Sequence, residues 1–351
     1  MVFFTEKKDS AENQSKAEND LSHRATKKKI WFVLKLIVSM GLLLYLITGV
    51  QFASVLLQWE QANIYFLFFG GIVYLISIFV VAFRWKVTLS AMDIEVPLRN
   101  VFSIYFMGFF FNNFLPSSAG GDIMRIYYIT GKTQNKTGAF SSVFVERLLG
   151  FFTLVFFGLL SLFFLNFFEY QKIILMLISG INLLFILLIV FIFYENILVR
   201  IKSGIKKIEY FNIGEKFDLF LQSTRMFEHP LRFSMYVFIL SFIYQFLMTL
   251  FCYLISLGLG LNISFGQYLV FVPVMAIASL IPITINGLGV REGVWIFLFH
   301  SISKSKETAL SLSLLTYFIG LMISLIGGII FIFYERGRRG GKVHGSKAFA
   351  E

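Results

Sequence analysis

Residues 64–83 read IYFLFFGGIVYLISIFVVAF, a run of 20 positions without a charged side chain. An α-helix rises about 1.5 Å per residue, so roughly 20 apolar residues are enough to cross a hydrocarbon core about 30 Å thick. The whole chain is 57% hydrophobic and 15% charged. A soluble domain needs a more polar exterior than this composition can provide. The stretch and its context therefore predict an all-α membrane protein that crosses the bilayer several times.

Further apolar stretches define the predicted topology. Five have the length of a full span: Ile30 to Val50, Leu148 to Phe168, Ile173 to Tyr194, Phe233 to Leu257 and Ala309 to Tyr334. Two others, Val101 to Leu115 and Tyr268 to Ile281, are shorter and run directly into proline and glycine. Backbone groups freed at such breaks cannot face lipid. We therefore predict six full transmembrane helices and two re-entrant or broken helical hairpins. If either hairpin instead crosses the bilayer twice, the predicted sides of the flanking segments do not change.

The basic residues predict the orientation. With the N-terminus inside, the cytoplasmic segments hold 24 Lys and Arg and the external loops hold 3. Because cytoplasmic loops carry the excess of positive charge, we expect both termini to lie in the cytoplasm. We expect basic cytoplasmic tails at 1–29 and at 336–351, and we expect the first of them to be disordered. The transmembrane domain, 30–335, divides into halves at about 30–194 and 233–335. Segment 195–232 joins them, either as a helix on the inner leaflet or as a docked connector.

The two breaks share a sequence pattern. Residues 111–128 read FNNFLPSSAGGDIMRIYY and residues 281–295 read IPITINGLGVREGVW. Both have the spacing P-x4-G-x3-R, at Pro116, Gly121 and Arg125 and at Pro282, Gly287 and Arg291. On the predicted topology the first break enters from the cytoplasm and the second from outside. This arrangement is typical of an inverted-topology repeat, in which broken helices meet near the midplane and form a transport site.

The residue types at the breaks favour an anion site. Two glycines lie at each turn: Gly120 and Gly121 in the first, Gly287 and Gly289 in the second. They allow a sharp turn and leave N–H groups unpaired where the next helix begins. A helix N-terminus with an arginine one turn further on is suited to binding phosphate. We therefore expect Arg125 and Arg291 to hold one lipid headgroup phosphate between them.

Polar residues beside the breaks could support this site or only satisfy freed backbone groups. They are Asn112, Asn113, Ser117, Ser118, Asp122, Glu146, Arg147, Asn286 and Glu292. Asp122 follows two glycines and could equally be an N-cap. Glu146 and Arg147 could form an interfacial pair at the cytoplasmic surface, although ionisable groups at membrane depth are typical of functional sites. Arg84 and Trp85, at the inner end of the second span, are interpreted as interface anchors.

Other classes of function find less support. The net charge is +11, but the basic residues lie in short loops beside apolar runs, so anionic lipid headgroups are the expected partner and nucleic acid is not. Cys252 is the single cysteine, and the four histidines are scattered. No nucleotide-binding loop or nucleophile motif is recognisable. We therefore expect no metal, no cofactor and no catalytic residue.

Three stretches in order, LPSSAGGDIMR (115–125), SSVFVERLLGF (141–151) and PITINGLGVREG (282–293), resemble the lysylphosphatidylglycerol synthase transmembrane family. This is the flippase-like domain also found in the multiple peptide resistance factor, and the resemblance covers residues 30–335. It implies an integral protein of the plasma membrane that is linked to the movement of charged or carrier lipids between leaflets. The resistance factor also has a soluble aminoacyl-transferase domain. Only 17 residues follow the last predicted span here, so lipid aminoacylation is not expected.

The sequence leaves two alternative functions. The first is a lipid translocator that moves an anionic phospholipid or a polyprenyl-phosphate-linked lipid between leaflets. The alternative is a non-transporting accessory or enzyme of lipid-linked glycan or cell-envelope biosynthesis, with a glycosyltransferase or other envelope-biosynthesis partner. An enzyme would need a catalytic acid or base, for which Asp122, Glu146 and Glu292 are the candidates.

The orientation can be tested by thiol accessibility in intact cells. On a Cys252→Ala background, cysteines introduced at Gln58 and Asn262 should react with an impermeant thiol reagent added outside. Cysteines at Asn135 and Lys207 should react only after the membrane is permeabilised. The opposite labelling pattern would overturn the predicted orientation.

Overall fold

The protein is helical throughout the part of the chain that the structure describes. The computed structural model describes residues 33–161 and 231–347, apart from residues 35, 43, 47, 49, 116–119, 280–283, 285 and 286, and it describes isolated positions between 163 and 187. These residues form helices and connecting turns, with no strand among them. The helices are α1 (Phe52–Glu60), α2 (Ile64–Ser90), α3 (Leu98–Phe114), α4 (Gly120–Thr133), α5 (Lys136–Ser161), α6 (Leu231–Gly258), α7 (Phe265–Ser279), α8 (Val290–His300) and α9 (Lys306–Lys347).

Four helical stretches are long and apolar enough to cross a bilayer: Ile64–Ser90, Lys136–Leu160, Met235–Gly258 and Lys306–Arg336. They overlap four of the six predicted spans, which confirms a multi-pass helical membrane protein. The predicted span at Ile30 to Val50 contains only a short apolar helix, Leu36–Leu46, among its described residues. The predicted span at Ile173 to Tyr194 lies mostly outside the described residues. The number of six full spans therefore stays a prediction.

The observed helices run further than the hydropathy pattern predicts. Helix α2 continues past Phe83 to Ser90, and α5 begins at Lys136, well before Leu148. Helix α9 continues to Lys347, through most of the basic tail predicted at 336–351. Arg84 of α2 and Glu146 of α5, which interrupt the apolar pattern, pair with each other inside the bundle, so these charges do not end their helices.

The chain breaks between helices at both of the predicted places. Helix α3 packs against α4 across the first break, and α7 packs against α8 across the second. Both prolines of the P-x4-G-x3-R pattern lie outside the described residues, as do Ser117, Ser118 and Asn286. The two helix pairs are hairpins by their contacts. Their re-entrant depth in the bilayer stays a prediction.

The helix contacts follow one pattern twice, in two sets of four helices that we call units, α2–α5 and α6–α9. The helices correspond in order: α2 to α6, α3 to α7, α4 to α8 and α5 to α9. Each contact between two of these helices has a counterpart between the two corresponding helices. Thus α3 packs on α9 as α7 packs on α5, and α4 packs on α5 as α8 packs on α9. The contact of α1 with α9 has no counterpart among the described helices. Each unit therefore contributes its first hairpin helix to the last helix of the other unit.

Helices α2 and α6 form the most extensive contact and run antiparallel. At one end the Asn63 N–H donates to the Gly258 carbonyl at 2.8 Å. Further along, the Ser77 hydroxyl lies 3.6 Å from the sulfur of Met248. At the other end, Arg84 donates to the hydroxyl of Ser241 at 2.9 Å. We call this contact the α2–α6 seam.

Two apolar cores correspond to the two units. The first surrounds the fully buried Trp85 and Ile104 and includes residues of α9 at its edge. The second surrounds Tyr268, Phe271 and Trp295 and is confined to α6–α9 and their connections, with partly buried residues of α2 against it. The lipid-facing side of α2 exposes large apolar residues instead, among them Ile64, Tyr65, Phe68 and Phe69. This pattern is expected when the surrounding solvent is a bilayer.

Close backbone approach between α3 and α9 gives a stability prediction. A Cβ atom at Gly327 would lie 1.9 Å from the Phe106 carbonyl oxygen, which belongs to a neighbouring helix backbone. Gly327→Ala should therefore force the helices apart and lower the free energy of unfolding by about 1–3 kcal/mol. Thermal unfolding of the purified protein in detergent measures this loss.

The matched control is Gly71→Ala on α2, where the nearest atom to an added Cβ is the methyl group of Ile319 at 4.0 Å. This variant should unfold at or above the wild-type temperature, because alanine is the better helix former. Equal stability of the two variants would contradict the close packing of α3 on α9.

Candidate functional site

The carboxylate of Glu146 lies at the centre of an ionic network inside the bundle. Glu146 is on α5 and is only 2% exposed. One oxygen accepts from Arg84 of α2 at 2.9 Å, and the other accepts from Arg125 of α4 at 2.5 Å. The Tyr105 hydroxyl of α3 donates to the same Glu146 oxygen as Arg84, at 3.3 Å. A single carboxylate thus ties together four helices of the first unit.

Arg125 is fully engaged within this network. It is 3% exposed, and its second terminal nitrogen donates to Asp122 at 2.7 Å. Its guanidinium lies between two aromatic rings, 4.9 Å from the centroid of Trp85 and 4.7 Å from that of Tyr105. Cation–π contacts of this kind strengthen when the site is desolvated. The contacts hold Arg125 in one position.

Arg147 extends the network toward the surface of the bundle. Its side chain is 47% exposed. The Nε–H group and one terminal nitrogen donate to the two oxygens of Asp122, both at 3.1 Å. This bidentate geometry is the strong form of an arginine–carboxylate pair. The ionic network therefore consists of Arg84, Asp122, Arg125, Glu146 and Arg147.

The charges of the ionic network do not balance. Three guanidinium groups face two carboxylates, which leaves one positive charge when each group has its ordinary ionisation state. Charged groups in a low-dielectric interior are costly unless paired. An anion at this place would complete the neutralisation.

Glycines bring α4 into position for the ionic network. A Cβ atom at Gly121 would lie 1.9 Å from the Gly108 carbonyl oxygen, so α3 and α4 touch through their backbones. The Asn112 side chain accepts a hydrogen bond from the Gly121 N–H at 2.8 Å. At Gly120 an added Cβ would lie 2.8 Å from Leu115. The described glycines of the first break therefore serve close helix packing, and Asn112 satisfies a freed backbone group.

The second break contains a separate ion pair. Arg291 donates to Glu292, whose side chain is fully buried, and stacks 4.3 Å from the ring centroid of Tyr317. Glu292 also accepts from the Gly289 N–H at 2.7 Å and from Ser313 at 3.3 Å. The first of these bonds caps the beginning of α8. This pair is neutral by itself.

The left-handed backbone of the second break explains its glycines. Gly287 has φ 72° and Gly289 has φ 86°. Residues with a Cβ rarely adopt these angles, so glycine is required for this turn. A side chain at either position would strain the beginning of α8.

The equivalent motif positions fall on different turns of their helices. Arg125 is the sixth residue of α4, whereas Arg291 is the second residue of α8. The carboxylates correspond better, because Asp122 and Glu292 are each the third residue. Each arginine binds a carboxylate near it. The hypothesis that both bind one phosphate stays a prediction.

Two interpretations of single residues are wrong. Arg84 is not an interface anchor, because it is 6% exposed and pairs with Glu146, and Trp85 is fully buried against Arg125. Asp122 lies inside the first turn of α4 and binds two arginines, so its contacts are those of an ion-pair partner. Sequence reasoning missed Arg84 because its partner lies 62 residues away. The available signal was an arginine directly after an uncharged run.

Glu146 and Arg147 do not form the interfacial pair considered from the sequence. Glu146 is buried and binds Arg84 and Arg125, while Arg147 binds Asp122. Asn113, also placed near the first break, donates to the Phe109 carbonyl within α3 at 3.0 Å. This bond stays within one helix.

A cavity of about 230 Å³ lies beside the ionic network. Helices α2, α3, α5, α6 and α7 line it, so both units contribute to its walls. Three members of the ionic network reach it, namely Arg84, Glu146 and Arg147, but Arg125 is not among its lining residues. Tyr244 and Gln245 of α6 also line the cavity, and the ring of Tyr244 lies 5.8 Å from the guanidinium of Arg84. Arg125 therefore orients Glu146 from behind the cavity.

The fold and this site define a multi-pass α-helical membrane protein with a cavity lined by charged residues. The chain belongs to the family described as the lysylphosphatidylglycerol synthase TM region, whose profile matches residues 32–328. It is 28% identical to a UPF0104 membrane protein of Pyrococcus horikoshii, over 82% of this chain and 95% of the relative. A UPF0104 membrane protein of Methanocaldococcus jannaschii is 24% identical, over 70% of this chain and 78% of the relative. Both relatives are described as membrane proteins.

The central carboxylate gives a prediction for stability. Glu146→Gln removes the charge that Arg84 and Arg125 share and leaves two buried guanidinium groups undercompensated. We expect a loss of about 3–5 kcal/mol in the free energy of unfolding, measured by chemical or thermal unfolding in detergent.

Glu95→Gln is the matched control, because Glu95 is exposed and pairs with Lys86 outside the bundle. Exposed ion pairs contribute little, so this variant should unfold like the wild type. If both variants unfold alike, Glu146 does not hold the ionic network together.

Proposed function

We propose that this protein moves an anionic phospholipid or a polyprenyl-phosphate-linked lipid between the leaflets of the plasma membrane. The observation that carries the proposal is the surplus positive charge of the ionic network beside a cavity between the two units. An ionisable cluster inside a transmembrane bundle is expensive to maintain and is typical of a substrate path. The family membership supports a role in lipid biology.

We further propose that the two units are an inverted-topology repeat. Their matched contacts support this, and so does the antiparallel α2–α6 seam. If a two-fold axis relates α2 to α6, it must lie perpendicular to both helices, that is, in the plane of the membrane. Transporters with this symmetry alternate their access by moving one element against the other around a central site.

The proposed orientation places the ionic network toward the cytoplasm. Arg84 follows Ile64 by 20 residues, which corresponds to about 30 Å along α2. With both termini in the cytoplasm, Ile64 is at the outer end of α2. The ionic network then lies near the inner boundary of the hydrocarbon core, where headgroups of the inner leaflet can reach it.

Reconstitution in liposomes tests the proposal. The purified protein is incorporated with fluorescent phospholipids or a labelled polyprenyl phosphate, and an impermeant quencher reports lipid exchange between leaflets. Arg147→Gln removes the half-exposed positive charge at the edge of the cavity. Such a contact is worth up to about 1 kcal/mol, so exchange should fall by up to about fivefold. Its unfolding temperature is measured in parallel.

Arg99→Gln serves as the matched control, because Arg99 is an exposed arginine at the beginning of α3, outside the ionic network. Its exchange rate should equal that of the wild type. Exchange no faster than in protein-free liposomes, across the whole lipid panel, would reject translocation. The non-transporting accessory or enzyme role would then be the better explanation.

A further inference from the structure

Two hydrogen-bond donors beside the cavity have no partner. The Nε–H of Arg84 and the amide nitrogen of Gln245 are both buried without a hydrogen-bond acceptor. The two residues are 6% and 5% exposed, and both line the cavity. Buried donors without partners are rare, because each loses its hydration without replacement. Two of them at one cavity indicate that a ligand supplies the acceptors.

The chemistry of the donors limits the ligand. An arginine has no acceptor, so the group beside Arg84 must be an acceptor. The two oxygens of Glu146 already accept from Arg84, Tyr105 and Arg125. A cationic headgroup would add to the surplus positive charge of the ionic network. A phosphate oxygen is an acceptor and brings the opposite charge.

The net charge of the ionic network limits the class of ligand further. The ionic network has one surplus positive charge. A phosphodiester with an uncharged headgroup carries one negative charge and neutralises it. A phosphomonoester carries about −1.5 to −2 near pH 7 and would leave the desolvated site negative. A zwitterionic headgroup would bring an extra cation.

We propose that this cavity binds the phosphodiester of a phospholipid with a single negative charge. The Arg84 Nε–H and the Gln245 amide donate to its oxygens, and Arg147 attracts it at the edge of the cavity. Arg125 positions Glu146 and does not line this cavity. The inference deepens the proposed function by naming its site and lipid class, but binding can be measured separately from transport.

The main test is lipid binding by the full-length protein in detergent. Native mass spectrometry or microscale thermophoresis compares phosphatidylglycerol, phosphatidic acid and phosphatidylcholine as probes. The wild type should prefer phosphatidylglycerol. Gln245→Leu should weaken that binding about tenfold, because one donor to a charged oxygen is lost. The same variant without lipid should unfold at or above the wild-type temperature, since it removes an unpaired buried donor.

A charge variant and a matched control sharpen the result. Gln245→Glu adds a negative charge to the cavity and should weaken phosphatidylglycerol binding more than Gln245→Leu. Gln58 of α1 also has a buried, unpartnered side-chain atom, its Oε1, but it does not line the cavity. Gln58→Leu should therefore leave lipid binding unchanged. Of these two variants, only Gln245→Leu is expected to combine a rise in stability with a loss of lipid binding.

The outcomes separate this inference from the proposed function. Unchanged phosphatidylglycerol binding in Gln245→Leu would overturn the site and indicate that the two donors bind only water. Preference for phosphatidic acid would overturn the phosphodiester class. Selective binding that depends on Gln245, without lipid exchange in liposomes, would support the site and reject translocation. Lipid exchange that is insensitive to Gln245→Leu would support translocation and reject the site.

Discussion

The arrangement of the first unit depends on one carboxylate in a place where water is scarce. Glu146 on α5 accepts from Arg84 on α2 and Arg125 on α4, and Arg84 also binds Ser241 on α6. Each of these charges alone would be very unfavourable between membrane helices. Together they fix the relative positions of four helices. Tyr105 and Trp85 shield the same groups, so the ionic network is both electrostatic and well packed.

Close backbone contacts provide the second constraint on the bundle. In a membrane the hydrophobic effect does not drive helices together, so packing and polar contacts must do so. Gly121 against Gly108, and Gly327 against Phe106, allow helix backbones to touch. The first contact brings Arg125 to Glu146. The second joins α9 to α3 and so connects the two units.

Much of the fold could be predicted from the sequence, since span length and uncharged runs are direct consequences of bilayer thickness. The stretch at 64–83 and the breaks after Phe114 and Ser279 were found in this way. The pairing of Glu146 could not be predicted, because its partners lie in other helices. Arg125 and Glu146 were candidates from their residue types. The role of Arg84 required tertiary contacts, and so did the cavity with Gln245.

The antiparallel course of the α2–α6 seam has a mechanical consequence. Its contacts run from Asn63 and Gly258 at one end, through Ser77 and Met248, to Arg84 and Ser241 at the other. If α6 tilts against α2 about the middle contact, the two ends of the seam cannot open together on the same face. A wider separation of the two helices beside Arg84 is then accompanied by a narrower separation beside Asn63. A tilt of this kind would change the two ends of the seam in opposite directions.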